Sequence, residues 1–467
     1  MSGFADLLQP DRGQPAIALH LADKGGFDAW LKGQPERVRG AVKAQGFKGE
    51  ASQFAILPGE RDSWSAVLGV ADRGQLTEWC LAKAAEALPE GSYRLAEGTA
   101  GAASLGWLLG QYRFDRFKQE PKTKGPRVLL TADPAAIEEA VRLAEATALV
   151  RDLVNLPAGD LGPAELQAAA EQVARSGDAK LIVTSGAKLI DEYPMIHAVG
   201  AAATKERAPR LIEFHWGRPD HPKIAVIGKG VCFDTGGLDI KASSGMRLMK
   251  KDMGGAAHAL ALAQLIIAAR LPVRLHLLVP AVENAVSAAA TRPGDVLRSR
   301  KGLSVEIGNT DAEGRLILAD ALTRAEEEAP ELILDFATLT GAARVALGPE
   351  LPALFANDDS LADDLLAAGT QVSDPLWRMP LWQPYEELFA SDIADIANAG
   401  DSPFAGAVTA ALFLQKFVKP GTPWVHLDTF AWRATAKPGR PKGGDALGLR
   451  AAWTMLKRRY AQELRRI

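Results

Sequence analysis

Much that usually marks a site at a glance is scarce in this chain. Its 467 residues hold two cysteines, Cys80 and Cys232, too few for a disulfide framework and suited to a reducing compartment. Seven histidines are scattered and no His-Glu-x-x-His occurs, so a bound metal would be held mostly by carboxylates. No apolar run approaches the roughly 18 residues that a membrane span needs. From Met1 to Gln14 there is no basic start followed by an apolar run, so a secretory signal is not expected and the cytoplasm is the expected location. Net charge is only −3, which gives no general attraction for nucleic acid. Repeats and low-complexity tracts are absent.

What remains is the composition of a globular protein, 47% apolar and 24% charged, too long for one core. Residues 1–130 alternate short apolar runs, such as Ala16–Leu21 and Ser65–Val70, with a helical pattern over Leu76–Leu88. They predict a small N-terminal α/β domain. Lys118–Arg127, with three lysines, two prolines and a glycine, reads as a linker. A helix opened by Asp133-Pro134 then carries an apolar stripe to about Val154, and residues 131–160 are expected to link two domains. From 161 to 467, strands at Leu181–Val183, Arg210–Phe214, Ile224–Ile227, Leu275–Val279 and Leu332–Phe336 alternate with helices. That pattern predicts a larger α/β domain, its mostly parallel central sheet covered by helices. Ligands of such sheets bind beyond the carboxyl ends of the strands.

Three polar clusters lie in those connections: Gly228–Lys241, Lys250–Gly255 and Asn309–Leu316. They supply Asp234, Asp252, Asp311 and Glu313. Four carboxylates brought together would repel, and two divalent cations would balance them. Asp311 and Glu313, two apart, could point one way from a short extended segment, and Arg315 could hold an anion beside a metal. Each cluster also has a plainer reading. Thr310-x-x-Glu313 fits a capping box for the helix running to about Glu328. Asp252 could be a helix cap, Gly228-Lys229-Gly230 a phosphate turn, and Gly236-Gly237 a pair of positive-φ turn residues. Cys232 reads as a small buried hydrophobe and Lys241, by default, as a solvated lysine.

Taken together, the clusters resemble the leucyl aminopeptidase family of metallopeptidases. Asn-Thr-Asp-Ala-Glu-Gly-Arg-Leu at 309–316 matches the family's signature in full. Gly228–Lys241, Met249–Ala257, Thr291–Val296 and Thr338–Ala342 match in order, while residues before Arg151 fit chiefly through Tyr112–Lys118. Cys232 and Leu238-Asp239 depart from the commonest wording, and Pro438–Leu449 fits poorly. The resemblance implies an aminopeptidase with two zinc or manganese ions. Lys229, Asp234, Asp252, Asp311 and Glu313 would be the metal ligands, Asp234 and Glu313 touching both ions and Asp311 also using its carbonyl. It further implies that Lys241 polarises the scissile carbonyl and that Arg315 holds a bicarbonate acting as general base. Met249, Thr338, Leu339 and Gly341 would bind substrate. A peptide substrate and a homohexamer, a dimer of trimers, are implied as partners. Two rivals stand beside this reading: a regulator binding nucleotide or nucleic acid through the N-terminal domain, and a two-metal phosphoesterase.

Overall fold

The computed structural model describes residues 3–120 and 124–461, so positions 121–123 of the expected linker and 462–467 of the expected second domain lie outside the described residues. The chain divides into two compact units, Met1–Ala148 with Ala434–Lys442, and Leu149–Arg433 with Gly443–Ile467. The division falls inside the helix Ala135–Asn155.

The first unit is a six-stranded sheet. Its strands are β1 (Leu8–Pro10), β2 (Ile17–Asp23), β3 (Phe54–Pro58), β4 (Trp64–Val70), β5 (Gly91–Leu95) and β6 (Arg127–Thr131), in the order β1-β6-β5-β2-β4-β3. Only the β3–β4 pair is antiparallel. Tyr93 and Trp107 pack in its core, where Trp107 Nε1 donates to the Arg127 carbonyl at 2.9 Å. The helical pattern read over Leu76–Leu88 contracts to Ala82–Ala87.

The second unit holds β7 (Leu181–Ser185), β8 (Arg210–Trp216), β9 (Lys223–Gly228), β10 (Gly230–Asp234), β11 (Arg274–Asn284), β12 (Leu332–Ala337), β13 (Ala353–Ala356), β14 (Trp377–Arg378) and β15 (Trp424–Asp428). Their order is β14-β13-β15-β12-β9-β11-β8-β7, with β10 paired in parallel to the far end of β11. The centre of the sheet, β15-β12-β9-β11, is parallel throughout. Antiparallel neighbours appear only toward the edges. The fold class read from the sequence therefore holds: two α/β units, the larger with a mixed, mostly parallel sheet.

Buried parallel strands explain their near-continuous apolar sequences, since both faces are covered. Helices α1 (Gly254–Ala268) and α2 (Glu313–Glu326) are buried almost all round, and α1 accordingly carries no polar stripe. Their first turns point at the carboxyl ends of β9 and β12. Gly255 makes that approach possible, because a Cβ there would lie 2.8 Å from the Lys229 nitrogen.

One element was not legible as such. Gly228–Lys241 reads as a single loop after β9, yet the structure breaks it into β10 and a turn. Lys229 sits alone between the two strands. Its N–H donates to the Phe336 carbonyl at 3.0 Å and its carbonyl accepts from Ala256 at 2.8 Å, so the Lys229 amide is not free for a phosphate turn.

Candidate metal centre

Lys229 enters from the β9–β10 break and is 3% exposed. Its Nζ lies 2.7 Å from Asp252 Oδ2, 3.0 Å from Glu313 Oε1 and 3.1 Å from the Thr338 carbonyl. Gly314 leaves the room: a Cβ there would stand 2.5 Å from Lys229 Cε. Asp234 ends β10, its Oδ1 accepting from the Gly236 amide at 2.9 Å and from Asn284 Nδ2 at 2.8 Å. Its other oxygen is 2.7 Å from Lys241 Nζ, which also pairs with Asp311. Gly236 and Gly237, at φ +88° and +65°, turn the chain back so that Lys241 faces Asp234. Asp252 is not a helix cap. Met253 holds that position, and the carboxylate is taken by Lys229 and by the Thr338 hydroxyl at 2.9 Å.

The capping box at Thr310 is likewise absent. Ala312 precedes α2 without a side-chain cap, and Thr310 instead donates to the Gly236 carbonyl at 2.6 Å while accepting from the Asp239 amide at 2.8 Å. Thr310 and Asp311 lie in a turn rather than an extended segment. The turn stitches the third cluster to the first, and Asp311 and Glu313 still reach one cleft.

Buried charge governs the electrostatics. Burial, then the charge of Asp234, pushes the Glu313 carboxyl up to about 8 and that of Asp311 up to about 6. Burial also raises Asp252, but Lys229 and Lys251 outweigh it and its pKa falls. Burial works against the Lys229 ammonium, yet Asp252, Glu313 and Asp234 hold it above its ordinary value. Asp234 and Asp311 do the same for Lys241. For Lys251 burial outweighs the attraction of Asp252 and draws it down to about 8. Both Asp311 Oδ1 and Glu313 Oε1 have a lysine within ion-pair range but no aligned hydrogen-bond donor, leaving acceptor capacity directed into the cleft.

That cleft, about 420 Å³, is lined by all five expected ligands with Lys241, Met249, Thr338, Leu339 and Gly341. A second cavity of about 260 Å³ shares Asp311, Leu339 and Gly341 with it and contains Arg315. Arg315 Nη1 donates to the Asn398 carbonyl at 2.6 Å, while its buried Nε has no hydrogen-bond partner. Burial lowers that guanidinium to about 10. Leu339 and Thr340 present their amides to Asp428 at 3.0 and 3.1 Å, which fixes the loop between the cavities.

The ligand atoms of Asp234, Asp252 and Glu313 lie within 4.8 Å of one another. One other group among the described residues meets that distance, His215, His276 and Glu328. Its two imidazoles are stacked at 4.2 Å and 19°, so their in-plane lone pairs do not converge on one ion. Carboxylates of Glu328 and Glu213 already occupy His215 Nε2 and His276 Nε2 at 3.0 Å.

Residues 148–452 match the cytosol aminopeptidase family, catalytic domain, and residues 17–130 match the M17 aminopeptidase N-terminal domain. The chain belongs to the cytosol aminopeptidase family. A probable cytosol aminopeptidase of Syntrophotalea carbinolica is 43% identical, over 74% of this chain and 72% of that protein. The crystal structure of a cytosol aminopeptidase from Coxiella burnetii superposes with a TM-score of 0.92 at 44% identity, covering 97% of this chain and 100% of that one. The bottromycin maturation enzyme BotP, solved in complex with Mn, superposes with a TM-score of 0.85 at 32% identity, covering 95% and 99%. This cytosol aminopeptidase-family chain is thus a metal-dependent peptidase, a hydrolase. No helix among its described residues is long and apolar enough to cross a membrane.

Three neighbours of the site escaped sequence reading. Asn284 orients Asp234, Asn398 holds both Arg315 and the Asn309 carbonyl, and Asp428 holds the 339–340 loop. Each reaches the site from a distant stretch, Asn398 from 83 residues beyond Arg315, and no local spacing marks them.

Proposed function

We propose that this peptidase removes N-terminal residues from peptides with two divalent ions, zinc or manganese, held by Lys229, Asp234, Asp252, Asp311 and Glu313. The observation that carries the reading is the convergence of those five side chains with Lys241 on one buried cleft. The donors fit the ions: four carboxylates, two of them with oxygens lacking an aligned donor, and one amine. Two bound dications would act as Lewis acids and make water in the cleft more acidic.

The rest falls to the chain's own groups. Lys229 would release its proton to serve as a ligand, since the attraction of Asp252 and Glu313 that now keeps it charged would be shared with the ions. Lys241, held protonated by Asp234 and Asp311, would donate to the carbonyl oxygen of the scissile bond as negative charge develops there. Arg315 is suited to an anion through its unpartnered Nε, and a bicarbonate seated there would accept the proton of the attacking water. Asp252 would orient the free α-amine, which favours removal of terminal residues. Met249, Thr338, Leu339 and Gly341 would bound the substrate, the Thr338 hydroxyl itself being committed to Asp252.

Residues 161–467 are read as the catalytic domain and 1–130 as an accessory domain, joined through 131–160. A cytoplasmic homohexamer built as a dimer of trimers completes the proposal. Leucyl-p-nitroanilide hydrolysis by metal-replete protein, abolished by chelator and restored by zinc or manganese, is the expected result. Hydrolysis indifferent to chelator would sink the metal assignment.

A further inference from the structure

Two consecutive lysines precede Asp252 and the mechanism uses neither. Lys250 is accounted for: its Nζ donates to the Asn155 carbonyl at 2.6 Å and lies 5.6 Å from the centre of the Trp432 ring. Lys251 is different. It is 5% exposed, yet its ammonium makes no hydrogen bond to the described residues. Its nearest anionic atom is Asp252 Oδ1 at 4.0 Å, which already accepts from the Thr338 hydroxyl. The face of Phe430 lies 5.0 Å away. An ammonium carries three donors, and here they open onto the cleft instead of onto a protein acceptor.

The side chain lines the substrate cleft, on the same short helical turn as Met249. Arg344 stands at the same aromatic ring, its guanidinium carbon 4.9 Å from the Phe430 centre, and lines the cleft too. Next to Phe430, Ala431 holds φ +54°, a strained conformation for a residue with a Cβ. With Lys229 neutral as a ligand, three cationic and five acidic side chains line the cleft, so two bound dications leave it net positive. The cations at Phe430 therefore face a space that favours an anion.

We propose that Lys251 and Arg344, set against the Phe430 ring, form a carboxylate-binding subsite for the side chain of the substrate's first residue, so the enzyme favours peptides beginning with glutamate or aspartate. The proposal rests on the aminopeptidase reading above and adds its substrate class. A terminal Glu would supply the acceptors that Lys251 lacks, and its aliphatic stem would lie along Phe430 and Met249. A neutral Gln of the same shape would add no counter-charge to that of the distant Asp252.

The test is a set of aminoacyl p-nitroanilides carrying Glu, Gln, Leu and Lys, assayed with metal-replete full-length enzyme, Lys251→Met and Arg344→Met. Wild type is expected to prefer Glu over Gln by on the order of ten-fold or more in kcat/KM. Lys251→Met should collapse that ratio toward one, and Arg344→Met, at an exposed position, should reduce it even if the buried change unfolds the chain. The dipeptide Leu-Glu should gain nothing over Leu-Gln, which separates a first-residue subsite from general attraction of anions. Equal turnover of Glu and Gln substrates beside active Leu hydrolysis would overturn the subsite and leave the aminopeptidase reading standing. Failure to hydrolyse any of the four would remove both.

Discussion

Gly314→Ala tests whether the placement of Lys229 is what the metal centre depends on. A Cβ on residue 314 would stand 2.5 Å from Lys229 Cε, 2.8 Å from Nζ and 2.9 Å from Cδ. Carbon contacts are comfortable from about 3.5 Å, so the end of the lysine must withdraw by roughly 1 Å. The helix cannot move instead, because α2 is buried on nearly all sides. Crowding in a packed interior costs about 1–3 kcal/mol, and replacing a helical glycine by alanine returns up to about 1 kcal/mol. The folded state should therefore lose no more than about 3 kcal/mol and survive. Metal binding should suffer far more. Displacing a supporting group typically weakens a metal site by about 10–100-fold, and a 1 Å error at a reacting centre can lower turnover by about 100-fold. Gly40→Ala is the control, since a Cβ in that helix meets nothing within 4 Å and should stabilise by up to about 1 kcal/mol. Thermal unfolding, elemental metal analysis after dialysis against buffered zinc or manganese, and kcat/KM on leucyl-p-nitroanilide decide the matter. A Gly314→Ala protein with wild-type metal affinity and wild-type kcat/KM would refute the reasoning.

Glu313→Gln removes a carboxylate that burial and Asp234 hold at about 8, and should lower metal occupancy and activity together; full activity would count against a two-metal centre. Arg315→Met should lose any acceleration by bicarbonate added to carbon-dioxide-free buffer, whereas wild type should show it; equal responses would unseat Arg315 as the anion holder. His426 is buried and 2.6 Å from Asp335, which also accepts from Trp424. Burial opposes the imidazolium, but Asp335 outweighs it and the folded pKa rises above the unfolded value of 6.5. A raised histidine contributes stability that is complete below that unfolded value and is lost as pH rises through the folded one. Wild-type stability should therefore fall with rising pH in that window, and His426→Gln should lose this component; identical slopes in denaturant titrations would dismiss the pair as its source.

What the sequence made legible was the chemistry that local spacing concentrates. Alternating strands and helices identified the larger sheet, because buried parallel strands must be apolar throughout. The three clusters could be read because each falls in a connection at the sheet's carboxyl edge and carries charge in an otherwise apolar stretch. The failures share one cause. Thr310 satisfies every local rule for a capping box, yet its hydroxyl finds the Gly236 carbonyl and Asp239 from 74 and 71 residues away, and the helix begins without it. Asp252 satisfies the rule for a cap, yet Lys229 and Thr338 claim it. Asn284 and Asn398 satisfy no rule at all and hold Asp234 and Arg315 in place. A local hydrogen bond contributes about 1 kcal/mol, while an unpaired buried charge costs several, so tertiary partners win wherever carboxylates are buried together. By that comparison, residues whose local rules fail mark where the chain accepts strain for chemistry. Lys251, buried with no hydrogen bond from its ammonium and its nearest carboxylate oxygen 4.0 Å away, is the position where the comparison still lacks its second term, and a carboxylate brought by the substrate would supply it.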